Sequence, residues 1–306
     1  MSPRSSGAIT VLLVTITVAM AAAPAAAQQA YRGPVLLTLP ASTRALALGN
    51  AFPVGTTDSD HAFYNAAFSD RLRGASAAVH FFGRGSVFAA SAGTEWWHGG
   101  LAVGVRALDY GLGNVEAALP TGEAALMQEG SLSAERVATL SYGRSVRGVR
   151  LGASGHLVQQ RTVDQSRISF AGDVAAAVVV GPVSTGLAVR NIGTGSVLAG
   201  GDIDAPVMVT LSAGTGSRPV GPLDVMPAAS LTYEFDGDVV AGGGIEIGYW
   251  PVQGRTFLLR LGARYGEPGT WATAGAGFVG YRLIVDYAVV PFDDGDVSHR
   301  IGIRWQ

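Results

Sequence analysis

The chain has 306 residues, of which 48% are hydrophobic and 14% are charged, and its mean hydropathy is +0.30. Soluble domains usually carry about 25% charged residues, so this composition favours a membrane protein. The formal net charge of -2 argues against a nucleic-acid partner. The absence of cysteine excludes disulfides, thiolate catalysis and cysteine-ligated metals.

Residues 1–27 have the pattern of a secretory signal peptide. Arg4 supplies the positive charge, an apolar stretch runs from about Ala8 to Ala23, and Pro24 ends it. The small residues before Gln28 predict cleavage near Ala27. An uncleaved anchor is the alternative, but the apolar stretch is short for a membrane span. Export of an apolar chain that lacks other helix-length apolar runs predicts an outer-membrane location.

Residues 28–73 show no regular alternation of polar and apolar positions. A disordered periplasmic tail is one interpretation of this segment. However, Leu46, Leu48, Phe52, Phe63 and Phe68 make it too apolar for a disordered chain. We therefore expect residues 28–73 to pack against the rest of the protein.

From about Gly74 the sequence alternates with a period of two, in segments separated by turn residues. In the clearest segment Leu283 and Val285 fall on one face, and Ile284 and Asp286 on the other. The second face is mostly small, as expected for the lumen of a β-barrel rather than the outside of a soluble sandwich. We predict fourteen strands in residues 74–306, at 74–83, 86–97, 99–110, 132–144, 148–160, 168–180, 183–192, 206–215, 225–235, 238–250, 255–265, 270–279, 281–290 and 297–306. The fold class is thus an all-β, antiparallel transmembrane barrel in contact with outer-membrane lipid.

Connection lengths and aromatic positions predict the orientation of this barrel. The two longest connections, at about 111–131 and 193–205, follow odd-numbered segments, which suits extracellular loops with both termini in the periplasm. Aromatic residues gather at the opposite segment ends, where amphipathic rings favour the membrane interface. The predicted interfacial aromatics are Trp96, Trp97, Trp250, Tyr281 and Trp305.

Several ordered motifs resemble the PorV/PorQ family of outer-membrane proteins, relatives of the FadL-type channels. The stretch from Thr43 to Phe52, followed by Asp58 and Asn65, is similar to the opening block of that family. Residues 186–193, with the sequence GLAVRNIG, give the closest match, and residues 285–288 and 299–301 resemble its C-terminal blocks. Ala66 and Phe68 depart from the family pattern, which usually has proline and glycine at these positions.

The resemblance implies a fourteen-stranded barrel whose lumen holds an N-terminal hatch. In this chain the hatch would be residues 28–73, with Arg44, Gly49, Phe52, Asp58 and Asn65 as its family-like positions. It further implies a protein-secretion-associated (type IX-like) or substrate-handling role, with secreted cargo proteins or secretion-system subunits as partners. Barrel-assembly machinery would insert the chain. The alternatives are a FadL-like channel for passive uptake of hydrophobic small molecules and a structural or surface-adhesion barrel.

Arginines and carboxylates on the predicted lumen face are the candidates for a polar site. They could form a track for an anionic ligand or a structural network of ion pairs, and buried charges require such pairing. The candidates are Arg190, Glu246, Arg260, Arg282, Asp286 and Arg300. Ser154 and His156 share a strand face, but no third catalytic partner can be named from the sequence. We therefore predict a non-enzymatic protein with no catalytic residues, bound metal or cofactor.

Overall fold

The computed structural model describes residues 34–82, 85–109, 132–162, 165–194, 196–198, 201–203, 205–235, 239–266, 272–291 and 297–306. The predicted signal at 1–27 and its cleavage site lie outside these ranges, as do residues 28–33 and the whole connection at 111–131. The predicted loop at 193–205 is mostly described, and it contains two short strands. Among the described residues, no helix is long and apolar enough to cross a membrane.

Seventeen strands follow one another along the described chain. They are β1 (Gly74–Phe82), β2 (Gly85–Trp96), β3 (Gly99–Asp109), β4 (Leu132–Val146), β5 (Val149–Thr162), β6 (Ser166–Val180), β7 (Val183–Gly193), β8 (Ser196–Leu198), β9 (Gly201–Ile203), β10 (Met208–Thr215), β11 (Arg218–Val220), β12 (Leu223–Glu234), β13 (Val239–Val252), β14 (Arg255–Tyr265), β15 (Ala272–Gly280), β16 (Leu283–Pro291) and β17 (Val297–Trp305). Three of them are short additions, because β8 and β9 form a separate hairpin and β11 pairs only with β12.

The other fourteen strands form a closed antiparallel barrel, which confirms the predicted fold. Each pairs with its neighbour in the chain, β10 pairs with β12, and β1 pairs with β17 to close the wall. The closing register sets Ala75 opposite Trp305 and Phe81 opposite His299. All fourteen predicted segments overlap one of these strands, since the alternation that builds such a wall is local in the sequence.

Side chains alternate between an exposed outer face and a buried inner face along each wall strand. In β16, Leu283 and Val285 are exposed while Ile284, Asp286 and Ala288 are buried. The outer face carries mainly Val, Leu, Ile and Phe, as expected for a surface that contacts lipid. A closed ladder leaves no unpaired strand edge inside the bilayer.

The two rims of the barrel differ in the length of their connections. One rim holds the tight turns at residues 97–98, 147–148, 181–182, 253–254 and 281–282. Trp97 and His98 both adopt a positive φ, of 42° and 60°, as two-residue hairpin turns require. We call this end the tight-turn rim. The predicted interfacial aromatics lie on it, and each is more than half exposed.

The N-terminal segment, residues 34–73, lies inside the barrel. It contains three 3-10 helices (Val35–Leu37, Ser59–Phe63 and Ala66–Arg71) and the short helix α1 (Thr43–Leu46). Most of its residues are buried against the inner face of the wall. The buried apolar clusters include Leu36 and Leu37 against β2 to β6, and Leu46 against β16.

Wall glycines let the backbone of this segment approach the wall closely. A Cβ atom on Gly100 would collide with the carbonyl of Ser69, and one on Gly262 would collide with the backbone of Gly49. The glycines whose added Cβ would meet the segment are Gly93, Gly100, Gly104, Gly143, Gly152, Gly186, Gly214, Gly242, Gly244, Gly262, Gly275 and Gly302. The inner wall is therefore shaped to fit the segment.

An arginine on the outer face near the middle of a strand tests this wall. We expect Leu259→Arg, in the middle of β14, to lower the free energy of unfolding by roughly 2–4 kcal/mol, because its charge would lie in hydrocarbon. The exposed Val252, at the tight-turn end of β13, is the control, and Val252→Arg should cost at most about 1 kcal/mol. Urea unfolding of protein refolded in lipid vesicles measures both values. A larger loss for Val252→Arg would contradict this arrangement.

Candidate functional site

A closed ring of alternating charges joins the N-terminal segment to the wall. Each member contacts one opposite charge on either side, and all six side chains are at most 10% exposed. In order around the ring they are Arg44, Glu246, Arg260, Asp286, Arg304 and Asp58. Three cations face three anions, so the charges balance without a bound ion.

The N-terminal segment contributes two adjacent members of this charge ring. Arg44 on α1 donates from Nη1 to Asp58 Oδ2 at 2.7 Å and from Nε to Glu246 Oε2 at 2.8 Å. Its Nη2 reaches Glu246 Oε1 at 2.5 Å, which makes the pair bidentate. The other oxygen of Asp58 accepts from Arg304 Nη1 at 2.7 Å and from Gln306 Nε2 at 3.0 Å.

Four wall strands supply the remaining members. Glu246 on β13 lies directly opposite Arg260 on β14, whose Nε donates to it at 2.6 Å. Arg260 reaches across β15 to Asp286 on β16, with Nη1 and Oδ1 2.7 Å apart. The intervening Gly277 has no side chain, and a Cβ there would meet Asp286. Arg304 on β17 completes the ring, with its Nε 2.6 Å from Asp286.

Ionisation within the segment follows from this pairing. Burial would raise the pKa of Asp58, but the guanidinium groups of Arg304 and Arg44 outweigh it and hold that pKa well below its usual range. Burial would lower the pKa of Arg44, but Glu246 and Asp58 raise it. Both groups are thus charged at neutral pH, and removing one partner would strand the other in a buried site.

Three wall arginines bind backbone carbonyls of the segment instead of carboxylates. Arg106 donates from Nη1 to the carbonyl of Leu36 at 2.6 Å, and Arg190 from Nη2 to that of Phe63 at 2.9 Å. Arg300 donates to the carbonyl of Pro40 at 2.7 Å and also to that of Ala41. These bonds hold the segment to the wall through backbone carbonyls within its short helices and between them.

Glu135 provides the complementary contact on β4. Its carboxylate accepts from the amide of Leu36 at 2.8 Å and from that of Val35 at 3.2 Å. Gln160 also donates to it, at 3.2 Å. The start of the described segment is therefore fixed to the wall through both its amides and its carbonyls.

Asp60 lies in a group of hydroxyls and not among arginines. Ser91 donates to its Oδ1 at 2.8 Å, and Ser76 donates to the same atom. Burial raises the pKa of Asp60, although these hydroxyls and Ser42 oppose that effect. Burial lowers the pKa of the neighbouring His61 to about 4, so its ring is neutral at neutral pH.

Two separate cavities lie on opposite sides of the wall near the segment. The inner cavity, of about 50 Å³, lies between the segment and strands β7, β10, β12 and β13, and its lining includes Asn50, Phe52, Asn65 and Arg190. The outer trough, of about 450 Å³, is a mainly apolar depression on the lipid-facing side of β7, β10, β12, β13 and β14. Ser230 and Gly242 line both. At these two small residues the wall is thin.

A hydrogen-bonded chain on β4, β5 and β6 could not be found from the sequence. Thr139 Oγ1 lies 2.9 Å from His156 Nδ1, and His156 Nε2 lies 3.0 Å from Asp173 Oδ2. Asp173 also accepts from the amide of Asn191 at 2.8 Å. The structure thus pairs His156 with Thr139, and not with Ser154. Thr139 is 4% exposed, so we assign a structural role to these three side chains.

The predicted site residues divide between the lumen and the tight-turn rim. Glu246, Arg260 and Asp286 meet in the charge ring, while Arg190 and Arg300 bind segment carbonyls. Arg282, in contrast, lies exposed on the 281–282 turn and does not join the ring. It directly follows Tyr281, whose positive φ turns the chain at this point.

The predicted hatch positions all lie in the lumen. Besides Arg44 and Asp58, Gly49 donates its amide to Thr273 at 3.0 Å. Phe52 stacks on Tyr64 with ring centroids 4.5 Å apart, and the side chain of Asn65 accepts from the amide of Ala67. Within the described ranges, no group of three or more His, Asp or Glu residues could hold a metal ion.

Comparison with known proteins identifies the fold. No protein-family model and no curated protein sequence matches the chain. The Pseudomonas putida toluene transporter TodX is 8% identical over 90% of this chain and 98% of its own, with a TM-score of 0.57. The Ralstonia pickettii toluene transporter TbuX is 11% identical over 86% and 97%, with a TM-score of 0.53. The chain therefore shares the β-barrel fold of these two transporters.

Neutralising one member of the charge ring tests its contribution to stability. We expect Glu246→Gln to lower the free energy of unfolding by roughly 3–5 kcal/mol, because Arg44 and Arg260 would lose a shared buried anion. Urea unfolding in lipid vesicles measures the change. Glu95→Gln is the matched control, since the exposed Arg73–Glu95 pair should contribute at most about 1 kcal/mol.

The double variant Glu246→Gln, Arg260→Met keeps the ring neutral. Its cost should therefore be smaller than the sum of the two single costs. Equal losses for Glu246→Gln and Glu95→Gln would show that the ring adds no stability.

Proposed function

We propose that this chain is an outer-membrane channel for the passive uptake of hydrophobic small molecules. The observation that carries the proposal is that the inner cavity and the outer trough share two lining residues, Ser230 and Gly242, across the wall. An apolar solute that entered the lumen would there be separated from the lipid-facing trough by little more than backbone. This geometry favours a lateral route between lumen and bilayer over a wide aqueous pore.

The chemistry of the trough supports an apolar solute. Its outward-facing lining is dominated by small and aliphatic residues from five adjacent strands. They include Leu211, Ala213, Ala229, Leu231, Ala241, Gly243 and Ala263. Pockets for small ligands are mostly apolar with a few polar groups, and here the inner cavity supplies the polar groups.

The similar structures support the same class of solute. TodX and TbuX, whose fold the chain shares, are both described as toluene transporters. The secretion-associated role implied by the PorV/PorQ resemblance has no comparable support in the lumen geometry. We therefore prefer the uptake channel. In this proposal residues 1–27 are a signal cleaved near Ala27, and barrel-assembly machinery inserts the mature chain.

The proposal assigns the role of a hatch to residues 28–73. The inner cavity of about 50 Å³ has room for only a few water molecules. It is too small for an aromatic hydrocarbon, so passage requires part of the segment to shift. Gly49 and Val54 of the segment pack against Gly242 and Gly214 of the wall, on the side of the barrel that carries the trough.

Filling the trough should block uptake. We expect Ala229→Trp to reduce whole-cell uptake of toluene to the level of cells without the channel, because an indole would occupy the depression beside Ser230. The cells should lack their own hydrocarbon channels, and a heat-modifiable band on SDS gels measures the amount of folded barrel.

Ala92→Trp is the matched control for this variant. Ala92 also lies on the outer face, but on β2, away from the trough. The Ala92→Trp variant should leave toluene uptake unchanged. Normal uptake by folded Ala229→Trp protein would remove the basis for the lateral route.

Removing the hatch should open the barrel to ions. A fourteen-stranded barrel is wider than side chains alone can fill, so we expect the intact protein to conduct poorly in planar bilayers. Deletion of residues 34–72 should give a clearly larger and stable conductance. A folded deletion variant that conducts no better than the intact protein would show that the segment is not a hatch.

A disulfide lock tests hatch movement without deletion. The chain has no cysteine, and Ser59 of the segment lies beside Ser91 of β2, with their Oγ atoms 2.7 Å apart. The oxidised Ser59→Cys, Ser91→Cys variant fixes the chain beside Asp58 and should leave toluene uptake unchanged, because the Gly49–Val54 stretch next to the trough can still move. A loss of uptake that reduction reverses would show that a larger part of the segment must shift. A Ser76→Cys, Ser91→Cys pair joins two wall strands across a similar 2.9 Å and should leave uptake unchanged.

A further inference from the structure

The tight-turn rim carries arginines that form no ion pair within the described part of the chain. Within the described residues, their guanidinium groups have no hydrogen bond or ion pair, and all are exposed. They are Arg144, Arg147, Arg218, Arg255 and Arg282. Neither the charge ring nor the proposed uptake route uses them.

Two of these arginines, Arg255 and Arg282, lie at neighbouring turns of the rim. Arg255 pairs in register with Gly280, immediately before the turn that carries Arg282. The amide of Tyr281 donates to the carbonyl of Gly254 at 3.0 Å, and the amide of Gln306 donates to that of Arg282 at 3.0 Å. These backbone bonds hold the two basic turns and the chain's C-terminal end together. We call Arg255 and Arg282, with the aromatic rings beside them, the basic patch.

Exposed aromatic rings surround the two arginines. Tyr281 is 83% exposed and packs beside Gly254, while Trp305 is 52% exposed and lies opposite Leu283 on the lipid-facing wall. Trp250 is 53% exposed, near the end of β13. Such rings favour the headgroup level of a bilayer. The basic patch is therefore continuous with the lipid-facing surface, at the depth where lipid phosphates lie.

Acidic side chains on this rim do not offset the patch. Glu95 pairs with Arg73 at 3.0 Å, and Asp70 with Arg150 at 3.3 Å. Asp224 lies on the inward-facing side of β12 and is half-buried. The sequence between β16 and β17, in contrast, is acidic and includes Asp293, Asp294 and Asp296. Positive charge is thus concentrated on the tight-turn rim.

We propose that the basic patch binds the phosphate of an anionic phospholipid such as phosphatidylglycerol. Two guanidinium groups on adjacent turns can share one phosphate through charge-assisted hydrogen bonds. The neighbouring rings contact the glycerol and upper acyl region, and Leu283 and Phe257 continue the apolar surface for the acyl chains. The patch gives the barrel a lipid preference independent of any solute it carries.

Lipid retention measures this preference directly. The full mature protein is placed in nanodiscs of equal phosphatidylcholine and phosphatidylglycerol, and native mass spectrometry counts the lipids that stay bound. The protein should retain phosphatidylglycerol in excess over phosphatidylcholine. Arg255→Gln, Arg282→Gln should reduce the excess by about fivefold per arginine, the equivalent of about 1 kcal/mol for each basic side chain near an anionic surface.

Two further variants separate this site from general attraction to charge. Arg136→Gln, Arg167→Gln removes two exposed arginines from the opposite rim and should leave the excess unchanged. Arg255→Lys, Arg282→Lys keeps the charge and should preserve most of it. Equal retention of both lipids by the native protein, or an equal loss in the opposite-rim variant, would overturn the proposal. A heat-modifiable band confirms folding of each variant.

Discussion

Six mutually paired charges buried in the lumen constrain the whole molecule. An unpaired buried charge costs several kcal/mol, so each guanidinium and carboxylate must find its partners within the fold. The charge ring meets this requirement only when strands β13, β14, β16 and β17 stand in their observed order and Arg44 and Asp58 reach them together. Closure of the wall and placement of the N-terminal segment are therefore coupled. A barrel that closed without the segment would leave Glu246 and Arg304 with one partner fewer each.

Wall glycines make this coupling sterically possible. A fourteen-stranded wall encloses more space than its own side chains fill, and the segment occupies that space in part through its backbone. Backbone-to-wall contact requires positions without a Cβ, and the wall has such positions opposite Gly49, Ala66 and Ser69. Glycine is unfavourable in an isolated strand, but here it allows burial of the apolar clusters and of the ring. The wall glycines thus allow the segment to pack closely inside the barrel.

The sequence predicts the wall far better than it predicts the lumen. Period-two alternation is local, so all fourteen strands could be located, and parity alone placed Glu246, Arg260 and Asp286 on the inner face. Closure of the ring depends on Arg44, which is 202 residues from Glu246 in the sequence. No local sequence pattern indicates that two residues so far apart in the chain are in contact. The alternation also grouped Arg282 with the lumen set, because it cannot detect that the strand begins at Leu283, two residues later than predicted. The Thr139–His156 pair likewise depends on the register between β4 and β5.

Attachment of the segment is uneven around the lumen, and this determines where a hatch could move. On the side of β13 to β17, the ion pairs of Arg44 and Asp58 hold the segment. On the side of β2 to β6, Arg106 and Glu135 bind its backbone. Between them, the Gly49–Val54 stretch meets the wall near the trough mainly through van der Waals contact with glycines. Breaking such contacts exposes no buried charge, whereas breaking the ring would. Movement confined to this stretch would connect the two cavities at Ser230 and Gly242 and leave the ring intact. The charge ring would then act as the fixed point about which a small part of the segment opens.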